Sequence, residues 1–374
     1  MKTDIIKGFK DYIGEDAQKR AEIKKALVNV FEKYGFKPVE TPVIEYEEFV
    51  RGENKDDEAV SDIFKLQDKG KRKLALRYEF TFQLKRIAKN KKLPYKRYQI
   101  GDVFRDEPIQ GNRLRQFTQG DIDIIGSSIR EEAEILAVAK EVLDKLNIKS
   151  VIYVNNKKLL DEILEELKIK NKNQVIREID KLDKLPEKEI RRNLKKYNAE
   201  RLLNIIKNKE NFFKKYKSYK EIEELKKYCK SYGVQIVFSP CLARGLSYYN
   251  GVVFEVKSNI RETICAGGSY LVNGIQSTGI SFGLERLELL AKIKNEKEKY
   301  LVVSLGQDKK AIEIAQKLRK KEDVSIYYGK PSKALEYANT YKIEKVIFVG
   351  EKEVKAKKFK VKDMKTGKES FLKI

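Results

Sequence analysis

Two runs, Tyr95–Phe104 and Arg115–Ile125, read as strands, and the polar stretch Arg105 to Arg113 joins them. Strands separated by a polar loop of this kind predict an antiparallel hairpin. Arg105 stands at the end of the first strand. In the second, alternation puts Gln119, Asp121 and Asp123 on one face, with Phe117 in the same register. An amide, two acids and an aromatic make a poor core face. The hairpin therefore commits the chain to an antiparallel sheet whose polar side meets either solvent or a ligand.

The flanking sequence supplies the rest of an α+β architecture. Residues Asp16 to Tyr34 carry apolar side chains at Ile23, Leu27, Val30 and Phe31, a helical spacing, with Gly35 as the stop. Lys37 to Ile44, with Pro38 and Pro42, reads as an extended edge. Helices are expected over Arg77–Ala88 and Glu131–Leu146. Residues 155–230 then hold 23 Lys/Arg against 14 Asp/Glu, a net +9, in helix-like stretches. Strands resume at Val234–Phe238 and Tyr249–Val256, followed by a glycine-dotted stretch to Gly283 and a helix over Leu284–Ile293. The charged run at 292–299 reads as a linker. Beyond it, strands and helices alternate and suggest a small α/β domain with a parallel or mixed sheet, ending in a basic hairpin. Four segments result: a core at 1–154, a basic helical insertion at 155–232, more core at 233–297, and a C-terminal domain at 298–374.

Composition limits the chemistry. The chain has 374 residues and a formal charge of +24. Clustered Lys and Arg favour a polyanionic partner, because they displace counterions from phosphates. An AT-rich genome also enriches Lys, Ile, Asn and Tyr, so charge alone leaves nucleic-acid binding open. There is no histidine. That removes the usual general base and every Ser-His or Cys-His arrangement. Chemistry must rest on carboxylates, arginines, the substrates, or a metal held by oxygen. Cys229, Cys241 and Cys265 form no CxxC pair and leave an odd count, which fits reduced thiols in a cytoplasmic protein and no zinc site. The first residues lack a secretory apolar segment, and no run approaches the ~18–20 apolar residues of a membrane span.

Two further stretches carry chemistry. CLARGLSYYNGVVFEV, Cys241 to Val256, sets Arg244 beside a glycine and two adjacent tyrosines at the mouth of a strand. GISFGLERLELL, 279–290, runs from small residues into a helix whose first turn bears Glu285 and Arg286. FRDE at 104–107, GLER at 283–286 and Pro42 in ETPVIE resemble motifs 2, 3 and 1 of class II aminoacyl-tRNA synthetases. ARGLSYYNG at 243–251 resembles the RGLDYYTG segment of histidyl-tRNA synthetases. LRYEFT at 76–81, GFKDY at 8–12 and IDKLDK at 179–184 are similar to segments of that family. The C-terminal region is similar to its anticodon-binding domain. The likeness covers nearly the whole chain.

The resemblance implies a class II catalytic core on an antiparallel sheet and ATP-dependent ligation of histidine to tRNA(His) through a histidyl-adenylate. Arg244 and Arg105 would grip the α-phosphate and the substrate carboxylate. Glu79, Thr81 and Gln119 would hold the α-amino group, Asp123 and Tyr249 would read the imidazole, and Tyr248 would line the pocket. Glu107, Arg113, Phe117 and Arg286 would bind ATP, with Mg²⁺ arriving on its phosphates; Phe117 and Arg286 would sandwich the adenine. A homodimer is expected, since motif 1 forms the subunit interface in this class. Ser247, Ser269 and Leu271 depart from the family pattern, while Gly267 and Gly268 keep it. A non-catalytic relative, such as the regulatory subunit of ATP phosphoribosyltransferase or a tRNA-binding module, is the alternative.

Overall fold

The structure, a computed structural model, describes residues 2–52, 62–109, 114–182, 185–243, 248–260, 262–293 and 298–372. The chain divides into two compact units, residues 1–293 and 294–374.

In the first unit the strands are β1 (Lys37–Pro38), β2 (Ile44–Tyr46), β3 (Lys65–Gln67), β4 (Lys73–Leu76), β5 (Tyr95–Phe104), β6 (Gln116–Ile125), β7 (Val151–Asn156), β8 (Ile236–Phe238), β9 (Tyr249–Lys257), β10 (Cys265–Val272) and β11 (Ile275–Gly283). Eight of them form one sheet in the order β1-β5-β6-β11-β10-β9-β7-β8, and β2-β4-β3 form a second. The six central strands of the large sheet pair antiparallel, while β1 and β8 join its two edges in parallel. The expected hairpin is β5–β6, in register from Tyr95↔Ile125 to Phe104↔Gln116.

One face of this sheet is covered by helices α1 (Gly14–Lys33) and α4 (Ile129–Lys145). Helix α1 follows α-helical periodicity: Ile23, Leu27, Val30 and Phe31 are buried together with Ile122 and Ile124 of β6. Helix α4 starts on a capping box, Ser128 with Glu131, which satisfies otherwise orphaned backbone donors. The short helices α2 (Glu47–Arg51) and α3 (Leu84–Ile87) flank the small sheet and the large one. The helix expected over 77–88 is only α3. Before it, Arg77 donates its backbone N–H to Val43 and its guanidinium to the carbonyls of Thr41 and Asp102, holding the chain extended. The Glu79 carboxylate then accepts the Phe82 N–H and makes a turn.

Between β7 and β8 the chain runs through α5 (Lys157–Glu166), α6 (Lys172–Ile179), α7 (Glu187–Lys195), α8 (Arg201–Ile205), a 3₁₀ turn at Glu210–Lys215 and α9 (Tyr219–Ser231). Their apolar faces, including Leu160, Val175, Ile190, Leu203 and Leu225, are buried. The glycine-dotted stretch is the hairpin β10–β11. Helix α10 (Leu284–Leu290) follows β11 directly.

The second unit holds β12 (Lys299–Ser304), α11 (Asp308–Leu318), β13 (Asp323–Tyr328), α12 (Pro331–Thr340), β14 (Lys345–Val349), α13 (Glu351–Ala356), β15 (Lys360–Asp363) and β16 (Glu369–Phe371). Its sheet is mixed, with parallel β13-β12-β14 continued by antiparallel β15 and β16. Two buried clusters, around Val302 and Ile347 on one side and Leu301 and Val346 on the other, show that helices cover both faces.

Candidate active site

The face of the large sheet turned away from α1 and α4 opens into a cleft continuous with solvent. Strand alternation makes it polar. Ile122 and Ile124 of β6 enter the helix-side core, so Gln119, Asp121 and Asp123 of the same strand line the cleft. Ten of the twelve residues to which the resemblance gives roles lie along it: Glu79, Thr81, Arg105, Glu107, Phe117, Gln119, Asp123, Tyr248, Tyr249 and Arg286. Arg113 and Arg244 lie outside the described residues, as does Ser247.

The deep end is acidic. Asp123 is buried and faces Arg97 directly across the β5–β6 register. The Arg97 guanidinium, itself fully buried, reaches Asp123 Oδ2 at 2.6 Å and donates to the Phe80 carbonyl at 2.9 Å. The Tyr270 hydroxyl, from β10, donates to Asp123 Oδ1. Gly279 of β11 makes room for this carboxylate, since a Cβ there would stand 2.2 Å from Asp123 Oδ1. Beside it, Gln119 Nε2 donates to Ser281 Oγ at 2.9 Å and to Asp121 Oδ1 at 3.2 Å. Glu79 accepts the Phe82 N–H at 2.9 Å, and the Tyr248 hydroxyl at 3.4 Å.

Three buried carboxylates on one wall shape the local electrostatics. Burial, then the neighbouring Asp121, raises Glu79 to about 7. Burial raises Asp121 to about 6, opposed by Arg97 and reinforced by Asp123. Asp123 is also raised by burial, with Arg97 and the Tyr270 hydroxyl pulling it back. Such a wall favours a cation, because each added positive charge relieves repulsion among groups that water no longer screens.

The other end is basic and aromatic. Arg105, at the exit of β5, stacks over Tyr78 at 4.3 Å and Phe117 at 5.0 Å. Its Nη2 donates to Gln119 Oε1 at 3.3 Å, and its Nη1 stands 3.8 Å from the Glu107 carboxylate. Arg286, in the first turn of α10, donates to the Thr263 carbonyl and borders the same cleft. Gly267, on the strand that carries Tyr270, lies too close to its neighbours for any side chain: a Cβ there would fall 1.9 Å from the Gly279 carbonyl.

Arg97, Asp121 and Tyr270 were not assigned roles from the sequence. Asp121 already stands on the polar face read from alternation, and Arg97 carries a weaker signal, an arginine inside a β-strand whose hairpin register pairs it with Asp123. Of the departures from the family pattern, Ser269 is buried and its hydroxyl donates to Glu132 of α4, whereas Leu271 is 51% exposed and away from the cleft. Among the described residues, no cluster of three His, Cys, Asp or Glu side chains is arranged to hold a metal, and no helix is long and apolar enough to cross a membrane.

The family model described as histidyl-tRNA synthetase matches residues 8–287, and that of the anticodon binding domain matches residues 299–374. Histidine--tRNA ligase 1 of Bacillus cereus is 34% identical over 413 residues, covering 99% of this chain and 97% of the relative. The crystal structure of histidyl-tRNA synthetase from Nostoc sp. PCC 7120 superposes with a TM-score of 0.86 at 24% identity, covering 100% of this chain and 97% of that one. An ATP phosphoribosyltransferase regulatory subunit/histidyl-tRNA synthetase from Bacillus halodurans shares the fold at a TM-score of 0.76 and 20% identity, over 93% and 98% of the two chains. A matched model over most of the chain, and a full-length relative above 30% identity, establish that the chain belongs to the histidyl-tRNA synthetase family.

Proposed function

We propose that this protein ligates histidine to tRNA(His), first forming histidyl-adenylate from histidine and ATP and then transferring the histidyl group to the tRNA terminus. The observation that carries this reading is one cleft with two opposed ends. Its acidic wall suits an ammonium group and an imidazole N–H. Its arginine and aromatic end suits phosphates and a purine.

In the first step a carboxylate oxygen of histidine attacks the α-phosphorus of ATP, a P–O bond forms, and pyrophosphate leaves. Both reactants are anionic, so fixed guanidinium groups must screen them and hold them in line. Arg105 does this from the hairpin, with Arg244 assigned the same task. Phe117 and Arg286 hold the adenine between a ring face and a guanidinium, while Glu107 and Arg113 attend the phosphates. Mg²⁺ enters as part of the MgATP substrate. Glu79, Thr81 and Gln119 accept the α-ammonium. Asp123 accepts one ring N–H and Tyr249 bonds the other ring nitrogen, with Tyr248 closing the pocket. A ligand lacking either nitrogen leaves buried polar groups unpaired, the arrangement that rejects analogues most strongly.

In the second step a ribose hydroxyl of the tRNA attacks the activated carbonyl and AMP departs. A phosphate oxygen of the adenylate takes the proton, so the absence of histidine from the chain is no obstacle. The unit at 298–374 binds the anticodon region. Residues 155–232 form a basic insertion between the two parts of the core, 1–154 and 233–297. The protein works as a cytoplasmic homodimer.

The relative from Bacillus halodurans keeps a second reading in view, a regulatory subunit without turnover. Retention of Arg105, Arg113, Arg244 and Arg286 favours catalysis. The test is aminoacylation: incubated with tRNA, MgATP and labelled histidine, the protein should attach label to the tRNA. No transfer, with the tRNA intact and chargeable by another histidyl-tRNA synthetase, refutes it.

A further inference from the structure

Arg20 stands on the face of α1 that packs against the sheet, one turn before Ile23, where an apolar residue is the expectation. It is 6% exposed. Its Nη2 donates to Thr118 Oγ1 at 2.8 Å and to Glu285 Oε1 at 2.9 Å, while Nη1 donates to Glu288 Oε2 at 2.9 Å. The Tyr12 ring covers the guanidinium at 3.7 Å. Glu285 Oε1 also accepts the Thr118 backbone N–H at 3.1 Å, and the Thr118 hydroxyl donates to Asp102 of β5 at 2.6 Å.

Three elements meet at this one side chain: β6 through Thr118, α10 through Glu285 and Glu288, and the N-terminal segment through Tyr12. Two of the bonded residues are immediate chain neighbours of the two cleft residues that face each other in the nucleotide reading. Thr118 follows Phe117, and Glu285 precedes Arg286. A planar guanidinium has donors in a fixed fork, so one Arg fixes the separation of several acceptors at once. A lysine keeps the charge but not the fork.

We propose that Arg20 is a positioning residue that sets the gap between Phe117 and Arg286, and so tunes binding of the purine base without touching it. The inference rests on the nucleotide reading of that gap. Arg20 acts from the back of the sheet, so its loss moves the two walls relative to each other and leaves the acidic end, built on Asp123, Arg97 and Tyr270, in place. Misplacing a bound group by ~1 Å can cost ~10²-fold in rate, so a smaller slackening should cost about tenfold.

The test compares full-length wild type with Arg20→Lys and Thr118→Val in histidine-dependent ATP–pyrophosphate exchange, with thermal melting recorded in parallel. Thr118→Val removes one acceptor at nearly constant volume and covers the case in which Arg20→Lys folds poorly. Both should raise KM for ATP about tenfold while KM for histidine stays within about twofold. Glu141→Gln serves as a control: it removes the charge paired with Lys33 and one of the two acceptors used by Lys33 and Tyr34 at the opposite end of α1, and should leave KM for ATP unchanged. Parallel rises in both KM values, an ATP effect of equal size in Glu141→Gln, or lowered melting with unaltered KM would overturn the inference. Failure of the underlying reading looks different: wild type itself would bind no MgATP in calorimetry, and the inference would fall with it.

Discussion

Replacing Arg97 by Met removes the only cation in contact with Asp123 among the described residues and leaves that carboxylate buried, with the Tyr270 hydroxyl as its remaining donor. Two unit charges ~4 Å apart interact by about 4 kcal/mol at an effective dielectric of ~20, and breaking one side of a buried pair typically costs about 3–5 kcal/mol. The variant has one escape, which is to protonate Asp123. From the ordinary aspartate value near 3.8, that costs about 4 kcal/mol at pH 7, by 1.36 kcal/mol per pH unit, and only about 1.6 kcal/mol at pH 5. The sign follows from linkage. A carboxyl raised further in the folded state stabilises it at low pH and loses that contribution as pH rises. Arg97→Met should therefore lose about 3–5 kcal/mol at pH 7 and markedly less at pH 5, in urea denaturation followed by circular dichroism. It should also raise KM for histidine more than KM for ATP. Adding Asp123→Leu should recover most of the stability, since no buried charge is left, while histidine binding stays lost. A loss below about 1 kcal/mol at pH 7 with KM for histidine unchanged would refute the reasoning.

Three further outcomes follow from the same geometry. Histidine binding near pH 6.5 should release protons, because its ammonium favours the ionised forms of Glu79, held at about 7, and Asp121, at about 6; Glu79→Gln should reduce that release in calorimetry across buffers of different ionisation heat, and an unchanged release contradicts the assignment. Gly279→Ala should displace Asp123, costing about 1–3 kcal/mol in stability and raising KM for histidine selectively; normal histidine kinetics would show that the carboxylate does not read the substrate. Glu132, raised to about 8 chiefly by burial, contributes stability that is lost as pH climbs from 4.5 toward 8. Glu132→Gln should thus gain on wild type by about 1.4 kcal/mol per pH unit across that window, and a pH-independent difference would contradict it.

Much of this was legible in the sequence because it depended on local pattern. The β5–β6 hairpin and the shared face of Gln119, Asp121 and Asp123 follow from period-two alternation alone. Other parts were hidden because they depend on long-range register. The β10–β11 hairpin was obscured by Gly267, Gly268 and Gly279, which weaken strand propensity but are required where backbone and the Asp123 carboxylate approach closely. The helix expected over 77–88 shortened to α3 because Arg77 and Glu79 spend their side chains on backbone groups. Tyr270 and Arg20 are ordinary residues in sequence. Their roles arise only when β10 lies near β6 and α1 lies near α10.

The most direct measurement is ATP–pyrophosphate exchange by the full-length protein across the twenty amino acids. Histidine should drive exchange, the other nineteen should not, and Asp123→Ala should remove the histidine signal while still binding MgATP. Exchange driven by another amino acid, or none with histidine from a folded protein that binds MgATP, would contradict the assignment of the acidic end as a histidine pocket.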